Sequence, residues 1–391
     1  MCKNIILCLF VLIQCSAQCF DGEYRDIIYK RTPNFTEIGT KLGLRVNEHD
    51  VVSQDGYILK LFHIPGNASR PVLLMHGIID SADTFIIREN SSLAIVLANA
   101  GYDVWVGNVR GNRYSRRHVF LDPDIDKKFW DFSFHEYGFY DLPAIIDFVL
   151  DKTGEKSLSA IGHSLGNTIF YVLGSKREEY NQKIKVIIAV SPISYLSNLK
   201  NSVAKLMEAM PAISNFFILI GEEEFVGDDT PIVQGLRVVC GCKKYYELCV
   251  NGLFFTIAGR DPEELEPNFF QTVVAHYPTG SSRKTALHVS QIGLRKTFAE
   301  FDYERRNNDV YNSTTPPEYD LNKVVMKVVL VAGRNDEIST LDDVHLLRKR
   351  LPNTDYIVVG RKKFNHIDAV WGRNMKKYLF PHIFHFLEKY N

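Results

Sequence analysis

The sequence predicts an α/β fold with a mostly parallel central sheet and a helical insertion in its second half. Three observations lead to this prediction. From about residue 50, short β-rich runs alternate with longer helical stretches. The runs are near-continuous in Val and Ile, which is typical of strands that are covered on both faces. Between roughly residues 195 and 322 the strand signal fades, and helix-like stretches rich in Leu, Met and Phe replace it.

The first element of the chain has the pattern of a secretory signal peptide. Lys3 precedes the apolar run Ile5–Ile13, and the small residues Ser16 and Ala17 follow. Nine apolar residues are too few to cross a bilayer as a helix, which disfavours a signal anchor. A buried N-terminal helix or strand is the alternative. We predict a signal peptide over 1–17 and a secreted mature chain, with the lysosome as the alternative destination.

The composition is that of a folded protein without a strong net charge. Hydrophobic residues make up 46% and charged residues 24% of the chain, which excludes wholesale disorder. The 46 Lys and Arg balance the 46 Asp and Glu, so no strong field favours nucleic acid or an anionic membrane as a partner. Beyond the predicted signal, no segment is a convincing membrane span. We therefore expect a soluble mature chain.

Cysteine and asparagine usage agrees with the secretory pathway. Four of the seven cysteines lie in or next to the predicted signal, namely Cys2, Cys8, Cys15 and Cys19. The others are clustered, and either Cys240 or Cys242 is expected to form a short-loop disulfide with Cys249. Zinc is the competing interpretation, but the cluster has no His at ligand spacing. The glycosylation sequons are at Asn34, Asn67, Asn90 and Asn312.

The remaining elements divide the chain into a core and an insertion. The predicted strands are Tyr57–His63, Pro71–Met75, Asp103–Gly107, Ser157–Ile161, Val186–Val190, Val325–Val331 and Asp355–Val359. The predicted helices include Ser91–Ala100, Phe139–Lys152, Leu165–Ser175 and Asn374–Tyr390. We expect a core in two parts, 18–194 and 323–391, with a helical cap and lid over 195–322. The alternative is a second ordinary domain over 195–322 that fills a core of its own.

The strongest signal for chemistry is Gly162-His163-Ser164-Leu165-Gly166, which follows the apolar run Leu158–Ile161 and precedes a helical stretch. This is the G-x-S-x-G elbow in its strand–turn–helix context, with Ser164 as the candidate nucleophile. The glycines let strand and helix approach closely around a strained turn. A chance match is the alternative, and the strand–turn–helix context argues against it.

A serine hydroxyl needs a base, and the base needs an acid that orients it. In enzymes with this elbow, the acid and then the base follow the serine along the chain, each after a late strand. Asp336 and His366 follow the last two predicted strands, so they are the predicted acid and base. Asp336 could instead be a turn residue only, and His366 a loop histidine, with Asp368 as a rival acid.

Acyl transfer also needs N–H donors for the tetrahedral oxyanion. We predict the backbone N–H groups of Leu165 and of Ile78, the latter in a His-Gly-Ile loop after an early strand. His76, in the same loop, is expected to be structural and not a second base. The sequence contains no phosphate loop, nucleotide fingerprint or metal-ligand set, so we predict transfer of an acyl group to water without cofactor or metal.

The chain between Ser164 and Asp336 is far longer than two or three strand–helix units require, and the excess coincides with 195–322. An insertion there would lie at the C-terminal edge of the sheet, over the nucleophile. Its apolar side chains indicate a cap over a pocket for hydrophobic acyl chains, with a segment that moves at a lipid surface. The plainer alternative is a rigid cap over a pocket for small esters.

These motifs together resemble the acid lipase family of animals, which includes gastric lipase, lysosomal acid lipase and many insect lipases. The resemblance covers nearly the whole mature chain. The matching segments are Asn34-Phe-Thr-Glu-Ile, Asp55-Gly-Tyr-Ile-Leu, His76-Gly-Ile, Gly107-Asn-Val-Arg-Gly-Asn-Arg-Tyr-Ser, Phe132-Ser-Phe, Tyr140-Asp-Leu-Pro-Ala-Ile-Ile-Asp-Phe, the elbow, Asn335-Asp and Asn365-His-Ile-Asp. The stretch from Gly107 to Gly166 is its most specific part.

The resemblance implies an α/β-hydrolase fold with Ser164 as nucleophile, Asp336 as acid and His366 as base. It also implies oxyanion donors at Ile78 and Leu165, and a lid within the cap. The implied activity is hydrolysis of triacylglycerols and, in some members, cholesteryl esters, often at acidic pH. The implied partner is therefore a neutral lipid at a lipid–water interface.

The resemblance also implies a disulfide between two Cys nine residues apart, which falls on Cys240 and Cys249 and leaves Cys242 as an extra thiol. The chain departs from the mammalian members at Leu165, where they usually have Gln, and the cap is the least similar part. Two other functions are considered: a carboxylesterase for short soluble esters, and an inactive homologue that binds lipid. The complete set of Ser, Asp and His argues against the inactive homologue.

Overall fold

A mostly parallel sheet of eight strands runs through the residues that the computed structural model describes, 32–390. The predicted signal peptide over 1–17 lies outside the described residues. In chain order the strands are β1 (Asn47–Val52), β2 (Ile58–Ile64), β3 (Asn67–Met75), β4 (Tyr102–Gly107), β5 (Leu158–His163), β6 (Ile184–Val190), β7 (Glu224–Phe225), β8 (Ser281–Ser282), β9 (Val328–Ala332) and β10 (Thr354–Val358).

The strand order confirms the predicted α/β class. The large sheet has the order β1-β2-β4-β3-β5-β6-β9-β10. The strand pairs β1–β2 and β2–β4 are antiparallel, and every other neighbouring pair is parallel. The short strands β7 and β8 form a separate antiparallel pair. The parallel strands end at one edge of the sheet, where polar loops can meet.

Both faces of the sheet are buried, as the near-continuous apolar runs predict. Along β3, Val72 and Leu74 pack into one hydrophobic cluster, while Leu73 and Met75 pack into another on the opposite face. Every residue of β4, β5 and β9 is buried. Burying a side chain of this size contributes about 1.5–3 kcal/mol, so the sheet and the helices that cover it hold the strand ends in fixed positions.

Helices surround the sheet and fill the insertion. They are α1 (Phe35–Lys41), α2 (Leu93–Asn99), α3 (Phe134–Glu136), α4 (Leu142–Thr153), α5 (Leu165–Lys176), α6 (Asn201–Ile220), α7 (Pro231–Cys240), α8 (Tyr246–Cys249), α9 (Phe255–Ala258), α10 (Pro267–His276), α11 (Arg283–Arg295), α12 (Asn307–Tyr311), α13 (Leu341–Arg350), α14 (Asp368–Trp371), α15 (Met375–Tyr378) and α16 (Phe380–Tyr390). The prediction of a single helix over Asn374–Tyr390 is wrong, because the helix is interrupted at Leu379, between α15 and α16. Pro381 lies in the first turn of α16, where a missing N–H is tolerated, and it does not fit a helix that continues from α15.

Several elements are absent from the prediction, among them β1 and α13, which each have a weak apolar pattern. β1 is an edge strand in which only Val51 is buried. α13 is rich in charge, with acidic residues in its first turn and basic residues in its last, an order that complements the helix dipole. The Thr340 hydroxyl caps α13 by accepting the N–H of Asp343 at 3.3 Å. Capping and charge order define this helix more clearly than hydrophobicity does.

Between β6 and β9 the chain is mainly helical, as the sequence predicts. Helix α6 packs along α11, where the Ser290 hydroxyl donates to the Met207 carbonyl at 2.7 Å. Among the described residues, α6 is the one helix long and apolar enough to cross a membrane by length and composition, with a mean hydropathy of 1.5 in an 18-residue window that is 22% buried. Its C-terminal end exposes a row of apolar side chains, Phe216, Ile218, Leu219 and Ile220.

A disulfide joins Cys240, at the end of α7, to Cys249 in α8. This is the pairing that the family resemblance implies. Cys242 is disulfide-bonded as well, so the expectation that it is an extra thiol is wrong.

Candidate active site

Ser164 sits in the sharp turn between β5 and α5. Its backbone has φ 56° and ψ −121°, a region that non-glycine residues enter only under strain. The tight fit explains both flanking glycines. A Cβ on Gly162 would clash with Asn167, and a Cβ on Gly166 would clash with the main-chain carbonyl of Met75. The motif therefore has the elbow geometry that its spacing predicts.

The structure brings Ser164, His366 and Asp336 together in one chain of hydrogen bonds. The Ser164 Oγ lies 2.9 Å from His366 Nε2. His366 Nδ1 lies 2.9 and 3.0 Å from the two carboxylate oxygens of Asp336. Because a carboxylate only accepts, Nδ1 carries the proton, and Nε2 is then free to accept the serine proton. The three residues are 3%, 5% and 3% exposed, in that order.

The loop after β9 holds the Asp336 carboxylate in place. Asp336 Oδ1 accepts the backbone N–H groups of Ile338 and Ser339 at 3.0 and 2.7 Å. The Ser339 hydroxyl in turn donates to the Pro192 carbonyl, just beyond β6, at 2.6 Å. A buried carboxylate with several donors keeps its negative charge at a tolerable cost. It is therefore able to orient an imidazole.

The rival acid, Asp368, does not pair with the imidazole, because both ring nitrogens of His366 are engaged by Asp336 and Ser164. Its carboxylate accepts the backbone N–H of Asn365 at 3.0 Å. Burial raises the pKa of Asp368 well above its ordinary value, and the nearby carboxylates of Asp261 and Glu264 add to the effect. A carboxyl group that favours its neutral form is poorly suited to stabilise an imidazolium. The geometry thus places Asp336, and not Asp368, beside His366.

Both main-chain segments predicted to supply oxyanion donors lie next to Ser164. Leu165 is the first residue of α5, where N–H groups have no partner within the helix. Gly77 approaches from the other side, and a Cβ placed on it would lie 3.2 Å from the Ser164 Cβ. Ile78, which follows Gly77, is half-buried. The donor roles of the Ile78 and Leu165 N–H groups stay predictions.

Comparison with known proteins places this geometry in a family. The family model of the α/β-hydrolase fold matches residues 70–219. The family model of the partial α/β-hydrolase lipase region matches residues 35–89. Lipase 1 of Drosophila melanogaster is 37% identical over 376 residues, which cover 93% of this chain and 82% of that protein. The chain belongs to the α/β-hydrolase lipase family.

Other members of the lipase family match over similar lengths. Gastric triacylglycerol lipase of Homo sapiens is 34% identical over 354 residues, 87% of each chain. Lipase member N of Mus musculus is 35% identical over 388 residues, 94% of this chain and 95% of that one. Among solved structures, a bacterial membrane phospholipase A has the same fold, with a TM-score of 0.53 at 14% identity, covering 99% of this chain and 98% of that one.

Two site residues of this lipase-family chain are missed by the sequence prediction, His163 and Asn365. His163 Nε2 donates to the His366 carbonyl at 2.9 Å, and burial lowers the pKa of His163 to about 3, so its ring is neutral. The Asn365 side-chain oxygen accepts the N–H groups of Ile367 and Asp368, which shapes the turn around His366. Both residues flank a predicted catalytic residue, and this adjacency is the signal that could have found them.

The chain between β6 and β9 contacts the loops of Asp336 and His366 at the end of α9 and in the two residues after it. The N–H of His366 donates to the Ala258 carbonyl at 3.1 Å. The side-chain amides of Asn365 and Asn335 donate to the Gly259 and Arg260 carbonyls at 2.7 and 3.0 Å. Ser164 itself is nearly inaccessible to solvent. Residues 258–260 therefore help to hold the loops that carry Asp336 and His366.

The predicted sequons lie mostly on the surface. Asn67, Asn90 and Asn312 are exposed. Asn34 is half-buried and caps α1, where its side-chain oxygen accepts the N–H of Glu37 at 2.8 Å.

Among the described residues, no group of three or more His, Cys, Asp or Glu side chains is arranged to hold a metal ion.

Proposed function

We propose that this chain is a serine lipase that hydrolyses carboxylic esters of neutral lipids, triacylglycerols first and cholesteryl esters as a second class. The observation that carries the proposal is the continuous hydrogen-bond chain from the Ser164 hydroxyl through His366 to Asp336. Such an arrangement turns a weak nucleophile into an effective one without any bound cofactor. Membership of the lipase family supports the choice of substrate class.

The reaction has two halves that use the same groups. In the first, Ser164 Oγ attacks the ester carbonyl carbon while its proton moves to His366 Nε2. The tetrahedral intermediate collapses, His366 protonates the leaving alcohol, and an acyl-serine remains. In the second half, His366 takes a proton from water as the water oxygen attacks the acyl-serine carbonyl. The intermediate then collapses, His366 returns the proton to Ser164 Oγ, and the fatty acid leaves. Asp336 stays ionised and stabilises the imidazolium in both halves.

The oxyanion of each tetrahedral intermediate needs fixed donors. We assign these to the N–H groups of Ile78 and Leu165, which belong to the two main-chain segments beside Ser164. Main-chain donors require no particular side chain, so Leu165 serves as well as the Gln of mammalian relatives. Preorganised donors of this kind typically contribute 10²–10³-fold each, that is about 3–4 kcal/mol.

The segment 195–322 is proposed to be a cap with a lid that opens at a lipid surface. Two features support this. The nucleophile is almost inaccessible in the described state, so a long-chain substrate needs the cover to move. The apolar row at the end of α6 is exposed, with Leu219 85% accessible. An exposed apolar row on a mobile cover favours contact with emulsified lipid.

The chain is further proposed to act in the secretory pathway, as a secreted or lysosomal glycoprotein. The disulfide between Cys240 and Cys249 supports an oxidising compartment. The exposed sequon residues Asn67, Asn90 and Asn312 support glycan attachment, since the glycosylating enzyme must reach them. Expression in a eukaryotic secretory host should give a chain whose apparent mass falls after glycosidase treatment.

The deciding experiment is hydrolysis of an emulsified long-chain triacylglycerol from about pH 4 to pH 8, next to a short soluble ester. Activity on the emulsion that Ser164→Ala abolishes is the expected result. Turnover of the soluble ester alone would mean a carboxylesterase. No turnover of either substrate would mean that the fold binds lipid without cleaving it.

Leu219→Glu should lower activity on the emulsion about tenfold or more, because a charge replaces an apolar side chain that loses water at the lipid surface. Turnover of a short soluble ester should stay unchanged. Val325→Glu is the matched control, since Val325 is also an exposed apolar residue but lies at the start of the second part of the core. An equal loss on both substrates, or an equal effect of both variants, would contradict the proposed role of the α6 row.

A further inference from the structure

His76 follows β3 and is buried, and each of its ring nitrogens has a partner. Nε2 lies 3.3 Å from the backbone nitrogen of Val109 and 3.2 Å from the side-chain amide nitrogen of Asn112. Because a backbone N–H can only donate, Nε2 must accept, and the proton of the neutral ring then lies on Nδ1. Burial lowers the pKa of His76 to about 4, so the ring is neutral near pH 7.

The proton on Nδ1 points at one particular carbonyl. His76 Nδ1 lies 2.8 Å from the Gly77 carbonyl oxygen and donates to it. That carbonyl belongs to the same peptide unit as the N–H of Ile78. In a planar trans peptide the C=O and the N–H point in opposite directions. Holding the Gly77 carbonyl therefore fixes the direction of the Ile78 N–H.

The rest of this loop is held tightly around the same peptide. On the core side, the Gly166 Cα packs so closely on the carbonyls of Met75 and His76 that no Cβ fits between them. On the insertion side, the N–H of Thr279 donates to the Ile79 carbonyl at 2.9 Å. Ile79 itself has φ 49°, an unfavourable value for a β-branched residue. A strained loop next to a nucleophile needs such restraints to keep one conformation.

We propose that His76 is a positioning residue, which aims the Ile78 N–H at the oxyanion by donating from Nδ1 to the Gly77 carbonyl. The assignment rests on the proposed function, because an oxyanion forms only if Ser164 attacks a carbonyl. His76 has no role in moving protons, since both ring nitrogens are already engaged with the loop, Val109 and Asn112.

Two substitutions separate the contact that Nδ1 makes with the Gly77 carbonyl from the contacts that Nε2 makes with Val109 and Asn112. In His76→Asn, the amide nitrogen lies near the position of Nδ1 and can still donate to the Gly77 carbonyl. In His76→Gln, the longer amide reaches the position of Nε2, keeps the contacts with Val109 and Asn112, and loses the donor to Gly77. We expect kcat on a soluble ester to fall 10²–10³-fold in H76Q, as for loss of one oxyanion donor. In H76N it should fall less than about tenfold, with KM little changed in both.

A second readout reports on the oxyanion site directly. The affinity for an alkyl boronic acid, which forms a tetrahedral adduct with serine, should fall in parallel with kcat across wild type, H76N and H76Q. His288→Asn is the matched control, because His288 is also fully buried, with ring contacts to Ser133 and the Ala299 carbonyl, yet it lies away from this loop. This variant should change Tm without the change in boronate affinity.

Equal kcat losses in H76N and H76Q, or losses that only follow Tm, would overturn the assignment. Nitrogen NMR of histidine-labelled wild type gives a test that needs no variant to fold: a neutral buried ring with its proton on Nδ1 is expected, and a proton on Nε2 would overturn the assignment. If wild type shows no Ser164-dependent turnover and no boronate binding, the proposed function fails, and this role fails with it. If wild type is active but kcat does not fall in the order wild type, H76N, H76Q, only the role of His76 is contradicted.

Discussion

Replacing Ser164 with alanine should lower kcat on a soluble ester by about 10⁶-fold, the size of effect seen when a nucleophile of this kind is removed. The hydroxyl is the atom that His366 activates, and no other group can form the acyl-enzyme. Binding should survive, because the rest of the site and the proposed oxyanion donors are unchanged. The measurement is steady-state turnover with product detection sensitive enough to follow the residual rate.

Ser194→Ala is the control for the loss of a buried hydroxyl. The Ser194 hydroxyl is buried and has no hydrogen-bond partner among the described residues. Its removal should leave kcat within about threefold of wild type, as for a substitution away from special features. Residual activity of a few per cent in Ser164→Ala would mean that another residue is the nucleophile.

The second large effect is expected at Asp336 and contrasts with Asp368. Asp336→Asn should lower kcat about 10⁴-fold near neutral pH, because the amide favours the wrong tautomer of His366 and cannot stabilise the imidazolium. Asp368→Asn should change kcat less than about tenfold. The pKa of Asp368 is raised by burial, so its carboxyl group favours the neutral form, and an amide replaces it with little change of charge.

The comparison of these two carboxylates is a direct test of the geometry. Both are almost fully buried, and both follow late strands: Asp336 lies in the loop after β9, and Asp368 is the first residue of α14, after β10. Thermal unfolding of both variants separates loss of folding from loss of chemistry. A large kcat loss in Asp368→Asn, with Asp336→Asn near wild type, would show that the acid had been assigned to the wrong residue.

The parts of the fold and site that are predictable from sequence are those with a strong local pattern. Parallel strands buried on both faces produce apolar runs such as Val328–Ala332, and these are found where the sequence predicts them. The elbow is predictable because a turn around Ser164 has space only for glycine at Gly162 and Gly166. Asp336 and His366 follow from chain order, since the strands before them end at the same edge of the sheet.

The other parts depend on tertiary contacts that no local pattern encodes. Edge strand β1 is half exposed and reads as polar. His163 is recognisable as a support for His366 only once the two loops are brought together. The same holds for His76, whose tautomer is set by a backbone group about thirty residues further along the chain. The choice between Asp336 and Asp368 likewise needs the direction of each side chain.

The neighbouring strands β6 and β9 have a consequence for how this lineage diversifies. They pair directly, with Ile187 opposite Val328, so the whole of 191–327 is a single crossover between adjacent strands. A change of length within this crossover leaves the pairing of β6 with β9 as it is. The distance between Ser164 and His366 is then preserved as well. Variation among relatives should therefore accumulate in this continuous stretch. Gly259 is expected to vary little, because any side chain there would collide with the Asn335 carbonyl and displace the loop that carries Asp336.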